Sequence, residues 1–121
     1  MTQARLVDVS GLEAALQQFS AERGWDKFHS PKNLAMALTG EVGELVEIFQ
    51  WLTEDESRTA AQDSRTAQAV KEELADVLLY VVRLASVLKV DLDDAAADKL
   101  KSNTKKYPVD GTRPPQWGDR A

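Results

Sequence analysis

A chain of 121 residues, 43% hydrophobic and 29% charged, has material for one modest core and not for two, and it is too apolar to be disordered. Its formal charge of −5 offers no general attraction for a polyanion, so a nucleic-acid polymer is excluded as a long-range partner and a phosphate-bearing ligand needs a local cation or metal. With no cysteine there is neither a disulfide framework nor a cysteine zinc site, and no stretch is long and apolar enough for a signal peptide or a bilayer span; a cytoplasmic protein with no membrane partner is expected.

The first predicted helix opens at Ser10, where Glu13 three residues on makes a capping-box pattern, and ends near Gly24. Ser30-Pro31, an N-cap followed by proline at the first helical position, opens a second helix running to about Thr53. The polar segment from Glu54 to Ser64 reads as a loop. A third helix spans about Arg65 to Lys89, and a fourth is capped at Asp91 and ends before Tyr107-Pro108. Beyond it, residues 109–121 carry prolines, glycines and little periodicity, which predicts an extended tail behind a domain of residues 1–108. No stretch alternates with period two, so the expected fold is all-α, a four-helix bundle.

In the second helix Leu34, Leu38, Val42, Leu45, Phe49 and Leu52 form one apolar stripe, flanked by Ala37, Glu41, Glu44, Ile48 and Trp51, with Glu47 on the far side. The third helix repeats the arrangement. Leu74, Val77, Leu78, Val81, Leu84, Ala85 and Leu88 form its stripe, and Glu73, Asp76 and Tyr80 sit on the flank. If the stripes pack together, Glu41, Glu44, Glu73 and Asp76 converge at one edge of the seam. Four carboxylates repel one another unless something neutralises them, and an all-oxygen set suits a hard cation, Mg²⁺ or Mn²⁺. Acidic residues at i, i+3 also serve simply to solubilise a helix; the aromatics on the same faces weigh against that here. Gly40 and Gly43 flank Glu41 at about 1 kcal/mol each relative to alanine, which suggests close approach by another backbone or a ligand. A di-iron bundle site is excluded, because it needs Glu-x-x-His pairs and the single histidine, His29, follows no glutamate at that spacing.

The strings GEVGELVEIFQW (40–51) and EELADVLLYVVRLA (72–85) resemble the paired helices of the MazG-like all-α NTP pyrophosphatases, and the stretch from about Leu12 to Pro108 is similar to the dCTP pyrophosphatase branch. The resemblance implies that Glu41, Glu44, Glu73 and Asp76 bind Mg²⁺ and act in hydrolysis of a nucleoside triphosphate to monophosphate and pyrophosphate. It also implies that Trp25, Lys27 and His29 of WDKFH (25–29), with Trp51 and Tyr80, line the nucleoside pocket. Lys99, Asn103 and Lys106 of KLKSNTKKYP (99–108) would approach phosphates or sugar. The family generally forms tetramers. Leu79, Val82 and Arg83 turn away from the main stripe of the third helix, leaving it apolar nearly all round, and a homo-oligomer is expected. A dUTP or broad-range NTP pyrophosphatase shares the acidic signature, and outside the enzymes the alternative is an acidic helical-bundle module that pairs proteins.

Overall fold

The computed structural model describes residues 5–109, whose regular structure is all helical, with no strand among them. Helix α1 is Ser10–Glu22, followed by a 3₁₀ turn at Asp26–Phe28; α2 is Pro31–Phe49, α3 Glu54–Arg58, α4 Ala67–Leu88 and α5 Leu92–Lys106. Apart from Val109, the expected tail lies outside the described residues. No described helix is long and apolar enough to cross a membrane.

Local chemistry sets most of the boundaries. The Ser30 hydroxyl accepts the Asn33 N–H at 3.1 Å with Pro31 at the first helical position, as expected for α2. The Asp91 carboxylate accepts the N–H groups of Asp93 and Asp94, and Lys105 and Lys106 sit in the last turn of α5, where cations suit the dipole. The capping box expected at Ser10 does not form. Asp8 is the better acceptor two residues upstream and takes both the N–H and the hydroxyl of Ser10, which is already helical.

A capping box forms instead at Thr53, whose hydroxyl accepts the Glu56 N–H at 3.1 Å while Glu56 Oε1 accepts the Thr53 N–H at 2.8 Å. It turns part of the expected loop into α3. Because Thr53 must be extended to cap α3 (φ −72°, ψ 166°), α2 stops at Phe49, short of the expected end.

Helix α4 packs against α2 on one side and α1 on the other. This corrects the expected facing of α4. Val82 and Arg83 do not point away from the protein; at 0% and 9% exposure they are buried, together with Val70 and Ala85 of the same helix. Leu74 and Leu78, expected in the core, are 53% and 49% exposed. The reason is that a helix held between two neighbours buries opposite faces, so the residues turned from α2 meet α1. The apolar face left open carries Leu74 and Leu78 on α4 with Val42 and Val46 on α2. Each lies about 160° around its helix from the acidic residue on the other side, Asp76 or Glu44. Gly40 and Gly43 mark no tight crossing among the described residues, since a Cβ at either meets nothing within 4 Å.

Both ends of the α1–α4 pair close in the same way. At the end of α1, Gly24 is left-handed (φ 66°), with Trp25 N–H donating to Ser20 O at 2.9 Å and Gly24 N–H to Ala21 O at 3.1 Å, a Schellman motif. The turn folds Trp25 back so that its ring meets Phe19 edge-on at 5.6 Å. Lys89 takes the left-handed position after α4 (φ 60°), where a side chain is strained.

Candidate active site

Oxygens of Glu41 on α2 and of Glu73 and Asp76 on α4 all lie within 4.8 Å of one another, and all three residues are half-buried. Glu44, exposed one turn along α2, stands outside this group of three but acts electrostatically on both Glu41 and Glu73. None of the ion pairs among the described residues involves them. Glu41 Oε2 and Glu73 Oε2 are buried without a hydrogen-bond partner among those residues. Withdrawal from water, reinforced by the neighbouring carboxylates, raises the Glu41 carboxyl above its ordinary value and pushes Glu73 up to about 7. Buried, unpartnered oxygens and mutually raised carboxyls describe a set that a cation would neutralise. Octahedral Mg²⁺ ligands at about 2.1 Å stand roughly 3–4 Å apart, close to the spread observed, so the residues fit such an ion.

Asp76 also lines a cavity of about 190 Å³ enclosed by Leu16, Phe19, Ser20, Trp25, His29, Leu34, Leu79, Tyr80 and Arg83. Trp25 reaches it through the Schellman turn. His29 is brought there by the 3₁₀ turn and by Asn33, whose side-chain N–H donates to Phe28 O at 2.9 Å. The cavity therefore unites three of the expected pocket residues, Trp25, His29 and Tyr80, with one expected metal ligand. Beyond it, the Arg83 guanidinium donates to His29 Nδ1 and to Asp26 Oδ1, both at 3.0 Å. Arg83 was legible in the sequence only as a charge on an otherwise apolar face; its role depends on a partner 54 residues away.

The other expected residues stand apart. Trp51 lies just past α2 with 85% of its surface exposed and does not line the cavity, because α2 ends before it. Lys27 extends over the Phe28 ring with Nζ 5.2 Å from its centre. On α5, Lys99 and Lys106 are exposed, and only Asn103 is half-buried, its Oδ1 enclosed and unpartnered among the described residues. Glu47 is not remote from the site: with Glu44, Ile48, Ala69 and Glu73 it lines a second, open cleft of about 350 Å³.

An all-helical chain whose two longest helices bring Glu-x-x-Glu and Glu-x-x-Asp pairs to one edge, beside an aromatic cavity, defines a class of acidic-site α-helical proteins. The MazG-like family model matches residues 37–119, and the chain belongs to that family. It is 47% identical to dCTP pyrophosphatase 1 of Homo sapiens over 104 residues, covering 86% of this chain and 59% of that protein. It is 46% identical to dCTP pyrophosphatase 1 of Bos taurus over the same length, covering 60% of that protein. The chain thus spans about 60% of the length of the curated relatives it matches. Among solved structures it is similar to a pyrophosphatase from Archaeoglobus fulgidus DSM 4304, with a TM-score of 0.77 and 38% identity over 89% of this chain and 99% of that one.

Proposed function

We propose that the chain is a Mg²⁺-dependent nucleoside triphosphate pyrophosphohydrolase, acting on dCTP or a 5-substituted dCTP to give the monophosphate and pyrophosphate. The observation that carries this reading is that Asp76 belongs both to the carboxylate cluster and to the aromatic cavity, so a base in the cavity has its own phosphates directed at the cluster. The printed names of the relatives, dCTP pyrophosphatase 1 and a pyrophosphatase, support it.

Glu41, Glu73 and Asp76, with Glu44 at the exposed edge, would hold Mg²⁺, or Mn²⁺ in its place; the ion supplies neutralisation of phosphate charge and a lower pKa for the attacking water. Trp25 and Tyr80 give the base aromatic surfaces, and the Phe19 ring backs Trp25 edge-on. Asn103, with Lys99 and Lys106, is assigned to the phosphates on the family resemblance, and its unpartnered oxygen is consistent with a ligand-facing role. The bond between the α- and β-phosphates breaks, pyrophosphate leaves, and the water proton passes to solvent. The cysteine-free composition supports a cytoplasmic setting.

The protein acts as a homo-oligomer, a tetramer by family resemblance, with the Leu74, Leu78, Val42 and Val46 face covered by a second copy and Trp51 supplied to a neighbour's pocket. The exposure of these side chains in the single chain supports the assignment.

The deciding experiment measures pyrophosphate release from all canonical and common modified deoxynucleoside triphosphates, with and without Mg²⁺. Deoxycytidine triphosphates are expected to be best. A tenfold or greater preference for dUTP or a purine would replace the dCTP reading with a dUTP or broad-range one. Absence of release from every triphosphate would favour the acidic-bundle interaction module.

A further inference from the structure

Arg83 is nearly enclosed, and among the described residues its side-chain hydrogen bonds go to two side chains of the 26–29 segment. A guanidinium has donors and no acceptor. The Nε–H that it directs at His29 Nδ1 at 3.0 Å therefore requires a lone pair on that nitrogen. Ser20 Oγ lies 3.4 Å from the same nitrogen, so Nδ1 faces the protein on both sides. The remaining ring nitrogen, Nε2, is then the one that carries hydrogen, and it is the only polar side-chain atom His29 has left for the cavity that it lines.

We infer that Arg83 is a positioning residue that holds His29 as the neutral Nε2–H tautomer, so that the cavity presents its ligand with a fixed hydrogen-bond donor. The inference rests on the proposed nucleotide site and adds its polarity. A pyrimidine edge bearing an acceptor, a carbonyl oxygen or an unprotonated ring nitrogen, satisfies the donor, whereas an edge offering only an N–H leaves two donors facing each other. The charges around the ring agree. Loss of water and the Arg83 cation both lower the His29 pKa, against the smaller opposing pull of Asp26, so the ring is kept neutral. Asp76, across the cavity, is the remaining charged group lining it. A protonated ring would donate from both nitrogens and break the Arg83 contact.

His29 is the single histidine, so ¹⁵N labelling of histidine and arginine side chains reports on this pair without ambiguity. The wild-type protein is expected to show a scalar coupling across the hydrogen bond between Arg83 Nε and His29 Nδ1 and one Nε2–H tautomer at neutral pH. Addition of deoxycytidine 5′-monophosphate should shift the Nε2–H resonance. In Arg83→Gln the coupling should vanish, a second tautomer should appear and the nucleotide-induced shift should shrink several-fold. A ring protonated on Nδ1, a missing coupling in the wild type, or an Nε2–H resonance that the nucleotide does not move overturns the inference. If Arg83→Gln fails to fold, the wild-type measurements decide alone. Failure of every triphosphate to release pyrophosphate would leave the coupling and the monophosphate response untouched, so the two readings fail separately.

Discussion

Asp76 and Tyr80 stand one turn apart on α4 and line the same cavity, and Asp76 alone of the cavity's residues also belongs to the carboxylate cluster. One turn of helix, about 5.4 Å, therefore joins the place proposed for a base to the place proposed for a cation. Because both side chains ride on one helix, and that helix is clamped between α1 and α2, their spacing is rigid. Asp76→Asn is expected to keep the helix and the cavity while removing a ligand charge. Since even groups that only support metal ligands cost 10–100-fold when changed, turnover should fall by about a hundredfold or more. Circular dichroism and pyrophosphate release together test this, and activity within a few-fold of wild type would falsify the assignment.

The raised carboxyls set a pH dependence with a definite sign. Glu73 takes up its proton near pH 7 in the folded metal-free protein and near 4.5 when unfolded. The native state thus binds the extra proton between these values. Metal-free stability should be highest at the acid end of that window and decline as pH rises toward about 7. Mg²⁺ competes with the same proton, so its affinity should rise over this range and level off above it. Thermal unfolding with and without Mg²⁺ from pH 5 to 8 tests both trends. Glu73→Gln should flatten the metal-free decline and abolish the Mg²⁺-induced rise in Tm.

The carboxylates were legible because helical spacing alone fixes which residues share a face, and Glu41, Glu44, Glu73 and Asp76 needed only that. Of the aromatic cavity, Tyr80 was legible from its place on the flank of α4, whereas Trp25 and His29, outside both long helices, were legible only through the resemblance of WDKFH (25–29) to the family. What sequence periodicity cannot report is how many neighbours a helix has. Val82 and Arg83 looked outward-facing because α2 was taken as the only helix against α4, and the partnership with α1 reversed that reading. Trp51 was placed on α2 by counting residues, but the Thr53 cap takes the chain out of the helix first. That cap was hidden in a segment with no apolar periodicity to draw attention to it.

The corrected facing changes what disrupts assembly. Val82→Glu places a carboxylate where no surface is exposed, a change that costs several kcal/mol and should unfold the chain rather than merely separate protomers. Leu78→Glu, on the half-exposed face, should fold with an unchanged circular dichroism spectrum and reduce the molar mass measured by light scattering. An unchanged mass would move the interface elsewhere.

At the end of α4, Lys89 occupies a left-handed position that glycine takes without strain. Lys89→Gly should raise stability by about 0.5–1 kcal/mol, offset in part by the greater freedom of glycine in the unfolded chain. Gly24→Ala, at the equivalent position after α1, should lower it by a comparable amount and also loosen Trp25, which that turn positions. Urea denaturation of the two variants measures the contrast, and equal effects of the same sign would contradict it.

Trp25 and Trp51 are expected to serve the base in different ways, and assembly separates them. Trp25 lines its own chain's cavity, so Trp25→Ala should weaken binding of deoxycytidine 5′-monophosphate in any oligomeric state, by about fivefold to a hundredfold for the loss of one stacking surface. Trp51 is 85% exposed and outside that cavity, so within a single chain Trp51→Ala should do nothing to binding. If Trp51 enters a neighbour's pocket, its removal should weaken binding in the assembled protein and have no further effect in the Leu78→Glu background. Calorimetric titration of the four proteins in this double-mutant cycle gives the coupling directly. A Trp51→Ala loss that persists unchanged after dissociation would mean that the segment after α2 folds back on its own chain. No loss in either background would remove Trp51 from the site.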